Sequence, residues 1–334
     1  KELGQLDAAV KSYEQALAIK PDYAEVHSNL GATLQELGQP DAAVKSFEQA
    51  LAIKPDFLGA HVQKLHQQSH LCDWRHWSSF IKIKDTIDLK GEYLPPFTFL
   101  PLEDVPEHHQ KRSENYAREK FRQTTLPLPC KPKIMPLKLR IGYFSADFHN
   151  HATMYLMATL FKSHDRKKFQ IFAYSYGPDT KDTMRDALIN GVDYFRNVTG
   201  TTDQEIVKLA RHDEIDIAID LKGYTQHTRS AIFAYRLAPI QINYLGYPGT
   251  LGANFIDYII ADDVVIPPEQ RQYYSENVIY LPHSYQVNDN TRKISARPLS
   301  RAAFGLPEQA FVFCCFNNNY KISPQEFDIW MRLL

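Results

Sequence analysis

Apolar positions in the first seventy residues fall at helical spacing. Ala42, Ala43, Phe47, Ala50 and Leu51 form one stripe of a helix near a 3.6-residue period. From about residue 139 the pattern changes to continuous apolar runs: LRIGYFSA (139–146), FQIFAYSY (169–176), DYFRNV (193–198), IDIAIDL (215–221), IQINYLGY (240–247), DYIIADDVVI (257–266), NVIYLP (277–282) and FVFCCFN (311–317). Capped or amphipathic stretches such as TTDQEIVKLARHDE and TRSAIFAYR separate most of them. Continuous apolar runs predict strands buried on both faces. Their alternation with helices predicts a doubly wound α/β sheet, which binds ligands outside the carboxyl ends of its strands.

The helical part is an internal repeat. GQLDAAVKSYEQALAIKPDY (4–23) returns as GQPDAAVKSFEQALAIKPDF (38–57), a 34-residue period typical of tetratricopeptide helical hairpins. Gly38 is expected to end a helix over about 24–37, Asp41 to cap the next one and Pro55 to stop it. A further helix near 58–70 is expected to close the stack, because a lone hairpin cannot bury its stripe. The expected organisation is repeats over 1–70, a helical and proline-rich connector over 71–136, a first α/β lobe over 137–290 and the start of a second lobe over 291–334. The connector holds EYLPPFTFLPLEDVP (92–106), a charged helix at about 107–123, and the link TLPLPCKPKIMP (125–136).

Composition narrows the classes. A formal charge of −1, from 38 basic and 39 acidic residues, gives no general attraction to nucleic acid or anionic lipid. No apolar stretch approaches the roughly 20 residues of a membrane span. Four cysteines without metal-ligand spacing, Cys314 and Cys315 adjacent among them, suggest a reduced, cytoplasmic chain.

Four strand ends carry polar, glycine or basic clusters. Asp147, His149, Asn150 and His151 follow the first strand, with Thr153 as the expected cap of the next helix. A polar turn is the plain alternative, but histidine suits acid–base work near neutral pH, and a helix start suits an anion. LKGYTQHTR (221–229) gathers Lys222, Tyr224, Thr225, His227 and Arg229, for which a solvated helix cap is the simpler reading. LGYPGTLGA (245–253) places Gly246, Tyr247, Pro248, Gly249 and Thr250 in a tight turn, without the spacing of a phosphate-binding loop. CCFNNNYKISP (314–324) brings Asn318 and Lys321 to a helix capped by Ser323. His212 to Asp216 precede their strand, at the wrong end of the sheet for catalysis, and read as a charged turn.

Repeats followed by IGYFSADFHNHATMYLM, DLKGYTQHTRSAIFAYRLAPIQINYLGYPGT, DYIIADDVVIPPEQRQYYSE and FCCFNNNYKISP resemble the O-linked N-acetylglucosamine transferase family, its bacterial members above all. The resemblance covers nearly the whole chain, in matching order. It implies a repeat superhelix joined to a GT-B catalytic region of two Rossmann-like lobes. It also implies metal-free transfer of N-acetylglucosamine from UDP-GlcNAc to serine or threonine hydroxyls of polypeptides lying along the repeats, with no cofactor. By the same resemblance His151 is the catalytic histidine, and Asn318 and Lys321 meet the uridine diphosphate, Lys321 neutralising the leaving group. Gly246 to Thr250, with Tyr224 and Thr225, line the donor cleft. Animal members carry glutamine where Asn318 aligns.

Two other readings stay open: a fucosyltransferase using a guanosine diphosphate sugar, and a repeat scaffold with an inactive transferase region. The chain opens at Lys1 inside the repeat pattern and stops at IWMRLL inside a helix, so a fragment inactive by itself is expected.

Overall fold

The structure, a computed structural model, describes residues 6–75, 77–78, 94–121 and 136–334. The link at 125–135, with Cys130, lies outside the described residues. Two compact units result: Lys1–Leu94 with Thr98–Asp104 and Ser295–Leu334, and Pro95–Phe97 with Val105–Ile294.

The first unit starts with α1 (Leu6–Ile19), α2 (Ala24–Glu36), α3 (Pro40–Ile53) and α4 (Leu58–His70), matching the repeat period. Gly38 turns the chain at φ +70°, as expected of a residue without a Cβ. Asp41 does not cap α3. The helix begins one residue earlier, at Pro40, where the missing N–H needs no partner, and Asp41 falls in its first turn. Phe47 is fully buried with Ala43, Ala50 and Ala60. A Cβ on Gly31 would lie 2.8 Å from the Phe47 ring, so Gly31 is where α2 admits that ring. α4 buries Leu58, Val62 and Leu65 against Phe99 and Leu102.

Residues 295–334 of this unit hold short 3₁₀ turns at Ala302–Phe304 and Asn319–Lys321 and a C-terminal helix, Pro324–Leu333. Ser323 caps that helix in a reciprocal box with Glu326, as expected. The expected strand at 311–317 is absent: these residues are irregular and mostly exposed. Among the described residues none pairs with them, and a strand without a neighbour leaves its backbone groups unsatisfied.

The second unit has α5 (Pro106–Lys120), β1 (Leu139–Ser145), α6 (Ala152–Ser163), β2 (Phe169–Ser175), α7 (Thr183–Ile189), β3 (Tyr194–Asn197), α8 (Asp203–His212), β4 (Ile217–Asp220), α9 (Ala231–Ala234), β5 (Ile240–Asn243), β6 (Tyr258–Ala261) and β7 (Asn277–Tyr280). The strands form one sheet in the order β3-β2-β1-β4-β5-β6-β7. Every pairing is parallel, with Ile141 facing both Ile171 and Ile217. On one face Met154, Met157 and Phe161 of α6 pack with Ile171, Leu188 and Ile219. Elsewhere Phe144 stacks on Tyr174 at 4.4 Å and meets Phe233 edge-on at 5.5 Å. The chain order reverses between β1 and β4, which opens a crevice beyond their carboxyl ends.

Candidate functional site at the carboxyl ends of the strands

The β1 and β4 ends meet through one ion pair. Lys222, two residues beyond β4, places Nζ 2.7 Å from Asp147 Oδ2, two residues beyond β1. Both residues are buried, at 5% and 6% exposure, so the pair is withdrawn from water. The backbone prepares it: Asp147 N donates to Ser145 Oγ at 2.9 Å. On the β4 side, Asp220 accepts from the amides of Lys222 and Gly223 and from Ser230 Oγ at 2.6 Å. Burial pushes the Asp220 carboxyl up from its ordinary value, and those donors oppose the shift.

His151 stands at the same junction. It is itself the N-cap of α6, a position sequence spacing had given to Thr153. Its Nδ1 accepts the Thr153 backbone N–H at 3.2 Å and has the Thr153 hydroxyl at the same distance. Asp147 Oδ2 lies 3.6 Å from that nitrogen, beyond hydrogen-bond range. Partial burial holds His151 below the ordinary histidine value; Asp147 opposes this, while Lys222 and His149 reinforce it. Arg185, buried on α7, donates to Ser175 Oγ and to the Phe148 carbonyl, fixing the loop that carries His149 and His151.

The glycine turn packs on protein before it offers anything to a ligand. A Cβ on Gly246 would fall 2.0 Å from the Leu221 carbonyl oxygen, so this glycine lets the loops after β4 and β5 touch. Tyr224, Tyr247 and Thr250 are buried. Tyr224 OH donates to the Leu251 carbonyl at 2.6 Å, and Thr250 Oγ1 to Glu276 at 2.6 Å. Glu276 also accepts the Leu251 amide, and burial raises its pKa. These three side chains therefore shape the loops. Gly246, Pro248, Gly249 and Thr225 keep part of their surface exposed. His227 is exposed, and Arg229 pairs with Asp203.

Asn318 and Lys321 belong to the first unit and are exposed there. Between them and α4 sits Tyr320, its ring 5.4 Å from His66 and 4.9 Å from His70. Asn319 donates to the His70 carbonyl at 3.3 Å. The His212–Asp216 segment is structural, as its position implied. Asp213 accepts from Tyr174 and Arg196, and Asp216 accepts the Arg140 amide at 2.8 Å. Sequence reading left Lys222 in a solvated cap and gave Asp147 no partner. The signal that joins them is strand order, which makes the first and fourth strands neighbours.

Tetratricopeptide helices followed by a parallel sheet with a charged, capped junction at its switch point define a repeat-bearing protein with a Rossmann-like α/β region. The model of Glycosyl transferase family 41 matches residues 122–297 and 295–334, and tetratricopeptide repeat models match 1–38 and 24–57. The chain belongs to glycosyl transferase family 41, the O-GlcNAc transferase family with tetratricopeptide repeats.

Among its relatives is the Arabidopsis thaliana protein named probable UDP-N-acetylglucosamine--peptide N-acetylglucosaminyltransferase SEC. It is 38% identical over 213 residues, covering 62% of this chain and 22% of that protein. The Caenorhabditis elegans UDP-N-acetylglucosamine--peptide N-acetylglucosaminyltransferase is 38% identical over 159 residues, covering 47% of this chain and 14% of that one. A solved Thermobaculum terrenum O-GlcNAc transferase, the K341M mutant, superposes with a TM-score of 0.76 at 26% identity, covering 99% of this chain and 63% of its own. The chain thus spans about a fifth of the length of the Arabidopsis relative. Among the described residues no helix is long and apolar enough to cross a membrane. No group of three or more His, Cys, Asp or Glu among them is placed to hold a metal ion.

Proposed function

We propose that this chain supplies part of a protein O-GlcNAc transferase, moving N-acetylglucosamine from UDP-GlcNAc to serine or threonine hydroxyls. The observation that carries this reading is the Asp147–Lys222–His151 junction at the switch point of a family 41 sheet. A buried ion pair is costly to maintain and is a poor source of stability, so its place at a ligand crevice favours a functional role. Identity to the Arabidopsis SEC protein, 38%, exceeds the 32% to the Petunia hybrida SPINDLY protein. Both relatives carry names that specify UDP-N-acetylglucosamine, which supports that donor over a guanosine diphosphate sugar.

In this reading His151 works near the acceptor hydroxyl and the sugar. Lys321 and Asn318 meet the diphosphate, where charge develops as the bond to the sugar breaks. The exposed parts of Gly246–Thr250 and Thr225 border the donor, and Tyr224, Tyr247 and Thr250 hold that border in shape. The repeats carry the acceptor polypeptide. In this reading the chain by itself transfers no sugar, because the two-lobed catalytic region that the resemblance implies uses two Rossmann-like lobes. Its free cysteines at 72, 314 and 315 fit a cytoplasmic setting.

The test grafts residues 137–334 in place of the matching region of the Thermobaculum terrenum enzyme. The expected result is labelled GlcNAc on a serine/threonine peptide from UDP-GlcNAc and none from GDP-fucose. Lys321→Ala in that graft should lower kcat about 100- to 1,000-fold. Transfer only from the guanosine donor would replace the donor assignment, and a well-folded graft inert with every donor would favour the scaffold reading.

A further inference from the structure

The capping bond constrains the chemistry of His151. A backbone N–H can only donate, so the Thr153 amide at 3.2 Å requires an unprotonated Nδ1. A neutral imidazole then carries its proton on Nε2. The nearby Asp147 carboxylate favours the opposite arrangement, since an anion 3.6 Å from Nδ1 attracts a proton to that nitrogen. Lys222 counters this. Its ammonium occupies the same oxygen, Asp147 Oδ2, at 2.7 Å.

We propose that Lys222 is a positioning residue that sets the tautomer of His151. By neutralising Asp147 it leaves Nδ1 to the Thr153 amide and keeps the ring a hydrogen-bond donor through Nε2–H. The charged and titratable groups facing His151 are Asp147 and His149 from its own loop and Lys222 from beyond β4. Lys222 and His149 both disfavour the imidazolium, in the same sense as the ring's partial burial.

The consequence reaches the proposed transferase reaction. A ring with its proton already on Nε2 and its Nδ1 committed to the helix cannot accept the proton of an acceptor hydroxyl without losing its cap. His151 would instead donate a hydrogen bond to an oxygen of the sugar or diphosphate. Only the identity of that oxygen rests on the proposed function; the tautomer and its control by Lys222 stand without it.

Histidine nitrogen NMR on the 334-residue chain tests the proposal, with His151→Gln used to assign the signal among 13 histidines. The wild type should show an unprotonated Nδ1 and a protonated Nε2 for His151 at pH 7. Lys222→Met should move the Nδ1 signal toward the protonated form and raise the titration midpoint by roughly one unit. The double variant Lys222→Met with Asp147→Asn, which removes the anion as well, should restore the wild-type tautomer. If Lys222→Met fails to fold, Lys222→Gln makes the same comparison, because it keeps a donor for Asp147 without the charge. A wild-type ring protonated on Nδ1, or a folded Lys222 variant with an unmoved His151 signal, overturns the proposal. Loss of transfer in the grafted enzyme with the tautomer intact would count against the transferase reading alone.

Discussion

Lys222 Nζ and Asp147 Oδ2, 75 residues apart in the chain, meet at 2.7 Å because β1 and β4 are parallel neighbours. Both side chains are under 10% exposed, at 6% and 9%, so each is the other's main compensation for leaving water. Breaking such a pair from one side typically costs about 3–5 kcal/mol, while removing both charges costs far less. Lys222→Met and Asp147→Asn should each lower the unfolding midpoint of the α/β unit in urea, followed by tyrosine near-ultraviolet circular dichroism. The double variant should recover most of the loss. Additive losses would show that the two residues stabilise the unit separately.

The same pair shows what the sequence could and could not convey. Apolar runs located the seven strands that form, but β3 and β7, at the sheet edges, are not buried on both faces as those runs implied. The repeat likewise announced α2, α3 and α4. The run at 311–317 misled because apolarity shows what a segment could bury, and pairing depends on a neighbour that the described residues lack. Helix caps expected at Asp41 and Thr153 fall two residues earlier, at Gln39 and His151, because the cap is set by where the chain turns. His151 was legible as a strand-end histidine, but its capping role was not. Lys222 looked solvated because nothing local reveals that its strand lies beside β1.

Gly246 tests whether the loops after β4 and β5 need their close approach. Its substitution by alanine puts a carbon 2.0 Å from the Leu221 carbonyl, and the backbone must move. A cost of about 1–3 kcal/mol in the α/β unit is expected from such overpacking. Gly59 in α4 is the contrast, for its added carbon would meet nothing nearer than 3.6 Å. Gly59→Ala should stabilise the repeat unit by roughly 0.5–1 kcal/mol through helix propensity. Equal and opposite signs are not required, but a harmless Gly246→Ala would mean the two loops yield easily.

Phe47 and Tyr13 occupy the same place in successive repeats and differ in surroundings. Phe47 is fully buried, whereas Tyr13 is only half-buried. Phe47→Ala should therefore cost about 3–5 kcal/mol, within the range for emptying a packed aromatic site. Tyr13→Ala should cost clearly less. Thermal unfolding of both variants, read by helical circular dichroism, checks the order. A larger loss at Tyr13 would contradict the packing of α2 on α3.

His66 ties the stability of the repeat unit to pH. Burial, with a smaller contribution from His70, lowers its pKa from 6.5 to about 4. In the unfolded chain the ring takes up a proton near 6.5, while the folded unit resists until about pH 4. The folded state thus binds fewer protons in that window, and its stability must fall as the pH drops. The neutral ring's contribution is complete above 6.5 and is lost progressively toward 4, to a total of about 3 kcal/mol for a shift of this size. His70 is lowered in the same direction, so it steepens the same limb. Trp74, Trp77 and Trp330 all lie in this unit, which makes tryptophan fluorescence its selective probe. Urea midpoints should decline steadily from pH 7 to pH 4.5 in the wild type. His66→Phe keeps an apolar ring beside Tyr320 and has nothing to protonate, so its midpoints should decline much less. Parallel slopes in the two proteins would remove His66 as the main source of the acid limb and leave His70 and the carboxylates of the repeats to account for it.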